Sequence, residues 1–283
     1  MSLNGIDSAS YQTGLDPAKV QMDFNIVKVT QGVTYVNPDF KRMASATISA
    51  GKLLGAYHYA AGGSPVAEAD FFLKNAKDYI GKVIFALDWE REQNPAFGKK
   101  DVSWCKSFLD RVYEKTGVRC FIYMSKSVCR EHDWSSVAKT YPLWCAQYAS
   151  NTETKYQTHP WTDAKGFGAW KNATIYQYSS AGKLSGWSKR LDLDIAFLTK
   201  HEWESWAKGE RPVVTVKFPE MTDTDLAVEV LFNVHGTNEK RKESLGMRYD
   251  AVQTDVEYLV RSVTNTIIAT QQYLKKHGCK NLI

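Results

Sequence analysis

The sequence predicts an α/β protein: an irregular (β/α)8 TIM-like barrel followed by a small C-terminal domain of three helices. Two observations lead to this fold class. Short apolar runs rich in β-branched and aromatic residues recur over the first 200 residues, and stretches of helical period lie between several of them. Beyond residue 212, tryptophan disappears and amphipathic helical patterns take over, which indicates a second domain.

The barrel is predicted from eight runs, which comprise residues 5–10, 25–30, 53–60, 83–90, 119–125, 141–149, 173–179 and 191–197. Between them, residues 65–80 and 100–116 have the apolar spacing of helices. The last connections have little helical pattern, so we expect the barrel to be irregular. A doubly wound open sheet is the alternative, but no GxGxxG or GxxxxGK(S/T) motif follows any predicted strand.

A polar linker separates the two predicted domains. The segment KGERPVV, residues 208–214, contains a proline among charged residues, so we predict domains at 1–207 and 221–283 joined by a linker at 208–220. In the second domain, apolar residues recur at helical spacing over residues 224–234, 249–263 and 267–274. We expect three helices there. The apolar tail over 263–274 is expected either to close the bundle or to promote self-association.

Composition limits the classes of partner. The net charge is +5, and residues 213–283 carry nine basic and nine acidic side chains, so the positive excess belongs to the predicted barrel. This is weak for a nucleic-acid-binding protein but suits an anionic polymer. The five cysteines have no CxxC spacing, so we expect reduced thiols and no metal site. Neither a transmembrane helix nor a signal peptide is expected from the apolar pattern.

Acidic residues lie where such a barrel places its reactive groups, at the C-terminal ends of the predicted strands. These acids are Asp7, Asp88, Glu90, Asp192 and Asp194. Because residues i and i+2 of a strand share a face, Asp88 and Glu90 are expected side by side. Repulsion between the two raises one pKa, which keeps one carboxylic acid protonated for general acid catalysis. A solvated or salt-bridged pair is the alternative for this common spacing.

Aromatic and amide side chains accompany the acids and are predicted to bind substrate. Aromatic rings stack on the apolar faces of sugars, and amides bind the hydroxyl edges. Each ring has the alternative of being a core residue, and His58 is equally compatible with a structural role. The predicted binding residues are Tyr57, His58, Tyr123, Trp144, Gln147, Tyr176 and Gln177, with Asp194.

Eight motifs in order resemble those of glycoside hydrolase family 25, the Chalaropsis-type lysozymes found as phage endolysins and bacterial autolysins. They are GIDSASYQ, KVTQGVTYVNPDF, GAYHYAAGGSPVAEADFFL, FALDWE, IYMS, LWCAQY, IYQYSSAGKLSG and LDLDIAF, and the similarity runs from residue 4 to 206. The resemblance implies an irregular barrel and an N-acetylmuramidase. Such an enzyme cleaves the β-1,4 bond between N-acetylmuramic acid and N-acetylglucosamine in peptidoglycan.

The resemblance also implies roles for individual acids. Glu90 is the general acid, and Asp88 orients or stabilises the 2-acetamido group of the substrate. Asp7 is expected beneath the groove, where it tunes Glu90 or positions substrate. Asp192 matches the last acid of the family pattern, whereas Asp194 stands where the family often has asparagine.

One position departs from the family pattern. Gln31, in KVTQG, stands where glutamate is frequent, so it is left out of the predicted catalytic set. Retention through an oxazolinium-like intermediate and inversion by an activated water both stay open. Neither route requires a metal or an organic cofactor.

The segment from residue 225 to 259 resembles a CW-seven type cell-wall-binding repeat, through EKRKESLG and YDAVQ. That family forms a three-helix bundle that recognises a muropeptide. Arg241, Gly246, Tyr249 and Asp250 lie in the matched part and are expected to contact the ligand or to support the bundle. His235 replaces the tryptophan that is usual before the turn.

Together these patterns predict a phage endolysin. Its partner is bacterial peptidoglycan, with no nucleic acid and no membrane insertion, and self-association through the C-terminal domain is one option. The protein is expected in the host cytoplasm until lysis and then at the cell wall. An internal start at Met221 would release a free binding module that associates with the full chain. The alternatives are a catalytically silent wall-binding protein and a chitinase-like glycosidase.

Overall fold

The computed structural model describes residues 2–217, 222–231 and 237–276. The backbone contacts divide the chain into two compact units: Met1–Thr162 with Gly166–Phe218, and Asp163–Lys165 with Pro219–Ile283. Met221 and His235, on which two of the sequence predictions depend, lie outside the described residues.

The first unit contains a closed sheet. Its strands are β1 (Leu3–Ser8), β2 (Phe24–Gln31), β3 (Tyr35–Val36), β4 (Leu53–Tyr59), β5 (Ile84–Asp88), β6 (Phe121–Ser125), β7 (Leu143–Ala146), β8 (Ile175–Gly182) and β9 (Leu191–Ala196). The order is β1-β9-β8-β7-β6-β5-β4-β2-β3, and β1 also pairs with β2. Eight strands therefore form a barrel, and the two-residue β3 extends β2. The predicted fold class is confirmed.

The barrel is irregular because its last strand runs in the opposite direction. Strands β1, β2 and β4 to β8 pair in parallel, whereas β9 is antiparallel to both β8 and β1. Residues 183–190 join β8 to β9 and are too few for a parallel crossover, which needs roughly a dozen residues or more. The beginning of β9 consequently lies at the end of the barrel where the parallel strands finish. The expectation that Asp192 follows a strand is therefore wrong, since Asp192 is the second residue of β9.

Six helices accompany these strands in the described residues. They are α1 (Phe40–Ser49), α2 (Pro65–Ala76), α3 (Asp101–Thr116), α4 (Val128–Glu131), α5 (Ser135–Ala138) and α6 (Lys200–Ala207). Local sequence explains several ends. Helix α2 begins after Ser64, whose hydroxyl accepts from the amide of Ala67, and α6 has a capping box between Thr199 and Glu202. Helix α3 ends at Gly117, which has a left-handed φ of 69°.

Two apolar layers lie on either side of the barrel wall. On β5, Ile84 and Ala86 pack inside the barrel, and the same alternation sends Phe85 outward, where its ring lies 5.1 Å from that of Phe72 on α2. Inside, Trp203 of α6 reaches Phe24 with ring centroids 4.7 Å apart. Asp88 follows Ile84 and Ala86 in the same alternation. Its side chain therefore points to the inside of the barrel, at the end where the parallel strands finish.

The second unit contains three helices, with boundaries that differ from the prediction. They are α7 (Asp223–Leu231), α8 (Asn238–Leu245) and α9 (Tyr249–Lys276). A small core joins them, formed by Leu226, Ala227, Val230, Leu245 and Val252. The predicted helix at 267–274 is not separate, because α9 continues through it. Helix α8 was not predicted, since NEKRKESL has no apolar stripe.

The apolar residues in the second half of α9 are exposed. Val260, Val263, Ile267 and Ile268 keep between 45% and 60% of their surface accessible. The expectation that this tail closes the bundle is therefore wrong for the described residues. None of the helices in the described ranges combines the length and apolar character needed to cross a bilayer.

Candidate active site

A groove of about 440 Å3 opens at the end of the barrel where the parallel strands finish. Four of the five acids that line it are the predicted ones: Asp7 from β1, Asp88 from the end of β5, Glu90 just beyond it, and Asp192 from β9. The structure thus brings together the acids predicted to be catalytic. The other lining residues are Ser8, Ala9, Tyr11, Gln12, Lys28, Gln31, Tyr57, Tyr59, Glu92, Gln93, Tyr123, Trp144, Tyr148 and Gln177.

The residue between the two neighbouring acids holds them in place. Trp89 is fully buried, its indole N–H donates to Asp101 Oδ1 at 2.8 Å, and its ring lies 4.9 Å from that of Trp104. Because side chains alternate along an extended strand, this outward tryptophan directs Asp88 and Glu90 to the groove.

Burial favours the protonated forms of both acids in this pair. Asp88 is 8% exposed, and burial, followed by the negative charge of Glu90, raises its pKa well above the usual range. For Glu90, burial and the charge of Glu92 raise the pKa, and a hydrogen bond with Tyr123 opposes them. Glu90 is therefore suited to hold a proton and to donate it to a leaving oxygen.

Asp7 and Asp192 of the groove form an acidic cluster with Asp194, which lies beneath it. Asp7 and Asp192 are opposite each other on antiparallel strands, and Asp194 is opposite Gly5. Burial raises the pKa of Asp7, and the charges of Asp192 and Asp194 raise it further. Burial also raises the pKa of Asp192 to about 6 and that of Asp194 to about 8. This cluster consequently retains at least one proton near neutral pH.

Gln177 connects the acidic cluster to the aromatic wall. Its Nε2 donates to Asp7 Oδ2 at 2.5 Å, and its Oε1 accepts from the hydroxyls of Tyr123 at 2.8 Å and Tyr148 at 2.5 Å. These three bonds determine the orientation of the amide, since only the nitrogen can donate to the aspartate. They also hold the rings of Tyr123 and Tyr148 along the groove.

Lys28 is a groove residue that sequence reasoning missed. Its ammonium donates to Gln31 Oε1 at 2.7 Å and lies 4.4 Å from the ring centroid of Tyr59. Burial lowers its pKa, and the charges of Asp88 and Glu90 oppose that shift. The signal in the sequence was a lone lysine within the otherwise apolar and uncharged strand FNIVKVTQ.

The predicted substrate role of His58 is wrong, because strand alternation points Tyr57 into the groove and His58 away from it. The His58 ring is fully buried between Thr30 Oγ1 at 2.8 Å and Glu68 Oε2 at 2.9 Å. Burial lowers its pKa. Glu68 also accepts from the amides of Ala61 and Gly63, so the network holds the loop after β4.

Three other predicted binding residues lie outside the groove. Tyr176 is fully buried and its hydroxyl donates to the carbonyl of Trp161 at 2.8 Å. Asp194 is fully buried beneath the groove and accepts from the indole N–H of Trp144 at 2.8 Å. Gln147 lines a neighbouring cavity instead. Tyr57, Tyr123, Trp144 and Gln177 do line the groove.

The predicted wall-binding residues gather where α8 meets α9. Arg241 donates to Gln253 Oε1 at 3.2 Å, and Tyr249 packs partly buried against the small core. Gly246 ends α8 with a φ of 55°, and Asp250 is exposed in the first turn of α9. Arg241 and Tyr249 therefore support the bundle, and Asp250 is accessible. Within the described ranges, no group of three or more metal-binding side chains is found.

Comparisons with known proteins agree with this geometry. The family model described as "Glycosyl hydrolases family 25" matches residues 6–187. The chain is 28% identical to the N,O-diacetylmuramidase of Chalaropsis sp., over 70% of this chain and 98% of that protein. It is also 28% identical to the lysozyme of Streptococcus phage Cp-1, over 46% of this chain and 38% of that protein. The bacterial lysozyme of Streptomyces coelicolor has a similar fold, with a TM-score of 0.63 at 22% identity, covering 75% of this chain and 99% of that one.

Proposed function

Because the chain belongs to glycosyl hydrolase family 25, we propose that it is a peptidoglycan hydrolase, an N-acetylmuramidase that cleaves the β-1,4 bond between N-acetylmuramic acid and N-acetylglucosamine. The observation that carries the proposal is the convergence of Asp7, Asp88, Glu90 and Asp192 in one aromatic-lined groove. The similarity to the Chalaropsis N,O-diacetylmuramidase supports the choice of bond.

Each acid has a role that fits its surroundings. Glu90, with its raised pKa, protonates the glycosidic oxygen. Asp88 lies in the same groove, where its carboxyl accepts from the N–H of the 2-acetamido group as the carbonyl oxygen of that group approaches the anomeric carbon. Its Oδ1 is buried without a hydrogen-bond partner among the described residues, which suits an acceptor of a substrate N–H.

The bond specificity is tested by digesting purified peptidoglycan, reducing the new sugar ends with borohydride and identifying them by mass spectrometry. Reduced N-acetylmuramic acid at the new ends is the expected result. Reduced N-acetylglucosamine would mean a glucosaminidase and would reject the proposed specificity. Absence of new ends, with the protein still sedimenting with walls, would favour a binding protein.

The role of Glu90 is tested by Glu90→Gln. The amide cannot donate a proton to the leaving oxygen, so we expect loss of cleavage with wall binding intact. Glu204→Gln on α6 is the matched control, because it also replaces one glutamate by its amide at a partly exposed site away from the groove. Near-normal turnover by Glu90→Gln would refute the assigned role.

For the second unit, we propose a wall-binding module of the CW-seven type that serves a phage endolysin. Support comes from the EKRKESLG and YDAVQ motifs and from the similarity to the phage Cp-1 lysozyme. Deleting residues 213–283 is expected to preserve cleavage of soluble glycan chains but to weaken lysis of whole cells. Unchanged lysis of whole cells would remove the wall-binding role.

The endolysin proposal includes residence in the host cytoplasm until lysis and then at the wall, which fractionation of infected cells tests. Self-association through α9 is part of the same proposal, because Val260, Val263, Ile267 and Ile268 are exposed. Light scattering of the purified protein should show an oligomer that Val263→Lys dissociates. Intact-mass measurement tests the internal start at Met221, and a 32 kDa species alone would reject it.

A further inference from the structure

A second cavity of about 380 Å3 lies on the other side of Glu90. It shares Glu90, Tyr123 and Tyr148 with the groove, so the two spaces meet at the proposed general acid. The remaining lining residues are Ser125, Lys126, Ser127, Arg130, Ala146 and Gln147. A polymer that is cut at Glu90 would therefore extend into or past this second cavity.

The charge of this cavity is opposite to that of the groove. Glu90 is its single acid, whereas Lys126 and Arg130 contribute two cations. The ammonium of Lys126 is buried, donates to Thr162 Oγ1 at 2.6 Å and lies 4.5 Å from the ring centroid of Phe167. Thr162 in turn donates to Gln147 Oε1 at 3.0 Å, so a hydrogen-bond network holds the ammonium of Lys126 in place.

Arg130 is the cation that is free to take a ligand. The neighbouring Val128 and Cys129 are buried and fix helix α4, while the Arg130 side chain is exposed. In the described ranges, no carboxylate lies within ion-pair distance of its guanidinium. The hydroxyls of Ser125 and Ser127, 3.0 Å apart, line the same cavity.

A planar guanidinium beside two hydroxyls is matched to one class of ligand, a carboxylate. Arginine presents parallel N–H donors that bind carboxylates in a bidentate manner, and serine hydroxyls supply additional donors. A neutral sugar has no charge that could pair with the guanidinium. The adjoining groove is lined by five carboxyl groups and one cation, Lys28, whereas the second cavity has two cations and one acid, so the Arg130 side of Glu90 is the electrostatically favourable place for a carboxylate.

We propose that the cavity around Arg130 binds a carboxylate that the glycan carries next to the bond at Glu90. This inference rests on the proposed function, since peptidoglycan supplies such carboxylates from two sources. One is the lactyl group of N-acetylmuramic acid when no peptide is attached, and the other is the peptide stem. Arg130 is accordingly a specificity-determining residue for acidic over neutral glycan.

The test compares Arg130→Gln with the wild-type enzyme on three glycan preparations. The first bears peptide stems, the second has had its stems removed by an amidase so that the lactyl carboxylates are free, and the third has its carboxylates converted to amides. Lys139→Gln is the control, because it removes one exposed cation before β7, at the opposite end of the barrel. The readout is kcat/KM from the release of reducing ends.

We expect Arg130→Gln to lower kcat/KM about ten-fold on a carboxylate-bearing glycan, which corresponds to about 1.4 kcal/mol, with no loss on the amidated one. The loss should shrink at high salt. A loss on stem-bearing glycan alone assigns the stem, and a loss on stemless glycan assigns the lactyl group. Equal losses on all three preparations, or no loss on any, would overturn the proposal.

Failure of the proposed function is recognised separately. A wild-type enzyme that releases no reducing ends rejects the activity. The carboxylate site is then judged by calorimetry, with the same glycans titrated into Glu90→Gln and into Glu90→Gln/Arg130→Gln. Weaker binding of acidic glycan by the double variant supports the site, and equal or absent binding overturns it.

Discussion

Replacing Asp194 by asparagine should make the barrel more stable at alkaline pH. Asp194 is fully buried, and burial raises its pKa to about 8, so ionising it in the folded state is costly. An asparagine keeps the Oδ1 that accepts from the indole N–H of Trp144. Its Nδ2 can also donate towards Asp7, whose carboxyl group interacts with Asp194. The substitution therefore removes the ionisation and keeps the hydrogen bond.

The expected magnitude follows from the difference between the folded and unfolded pKa values of Asp194. The folded pKa of about 8 lies above the ordinary value of 3.8 for an aspartate, so the folded state binds more protons. Wild-type stability consequently falls as the pH rises through that window. Between about pH 5 and about pH 8.5, ionisation of Asp194 lowers the free energy of unfolding of the wild type by about 4 kcal/mol at most. This loss of stability is smaller if Asp7 takes up the proton that Asp194 releases.

Urea unfolding at the two pH values measures this effect. All nine tryptophans lie between Trp89 and Trp206, so their fluorescence reports on the barrel. The free energy of unfolding of Asp194→Asn relative to wild type should increase by several kcal/mol from about pH 5 to about pH 8.5. Asp78→Asn, at an exposed site, is the control. The reasoning fails if Asp194→Asn shows the same relative stability at both pH values or is the less stable protein at the higher one.

Three further substitutions test the groove and its support. Lys28→Met removes a cation that lowers the pKa of Glu90, so the alkaline limb of kcat/KM should move to higher pH; an unmoved or lowered limb would contradict this. Gln177→Leu deprives two tyrosine hydroxyls and Asp7 of a partner and should cost about 1–3 kcal/mol per buried group in urea unfolding, so a cost below 1 kcal/mol in total would argue against the network. Glu68→Gln should destabilise the barrel by about 1–3 kcal/mol, because the amide nitrogen would replace an oxygen that accepts from a buried N–H, without moving the pH profile of cleavage; a shifted profile would mean that the His58 network reaches the reaction.

The strands were predictable because burial on both faces of a barrel wall gives continuous apolar runs, and each of the eight runs overlaps a strand. The direction of β9 was not predicted, since it depends on the short connection after β8 rather than on the residues of the strand. The helical unit was harder to predict. Helix α8 is polar except for its last residue, Leu245, which packs into a core that the other helices supply.

The acids of the site were predictable from their positions at strand ends, but the orientation of their neighbours was not. Tyr57 and His58 are adjacent in one strand, and a one-residue alternation places one in the groove and the other in the outer layer. Amino-acid composition does not distinguish a side chain in the groove from one in the outer layer. Lys28 and Arg130 were missed because a lone cation in a sequence carries no information about which acids or cavities it will face.

The two sides of Glu90 differ in charge. On the groove side, burial raises the pKa values of Asp7, Asp88 and Asp192, so this side favours neutral carboxylic acids, which suit the acetamido and hydroxyl groups of a sugar. The Arg130 side offers donors for a carboxylate. A strand shifted by one sugar would place N-acetylglucosamine instead of N-acetylmuramic acid at Asp88 and would move the carboxylates relative to Arg130. Comparing Arg130→Gln on acidic and amidated glycans therefore also tests whether charge contributes to the choice of linkage.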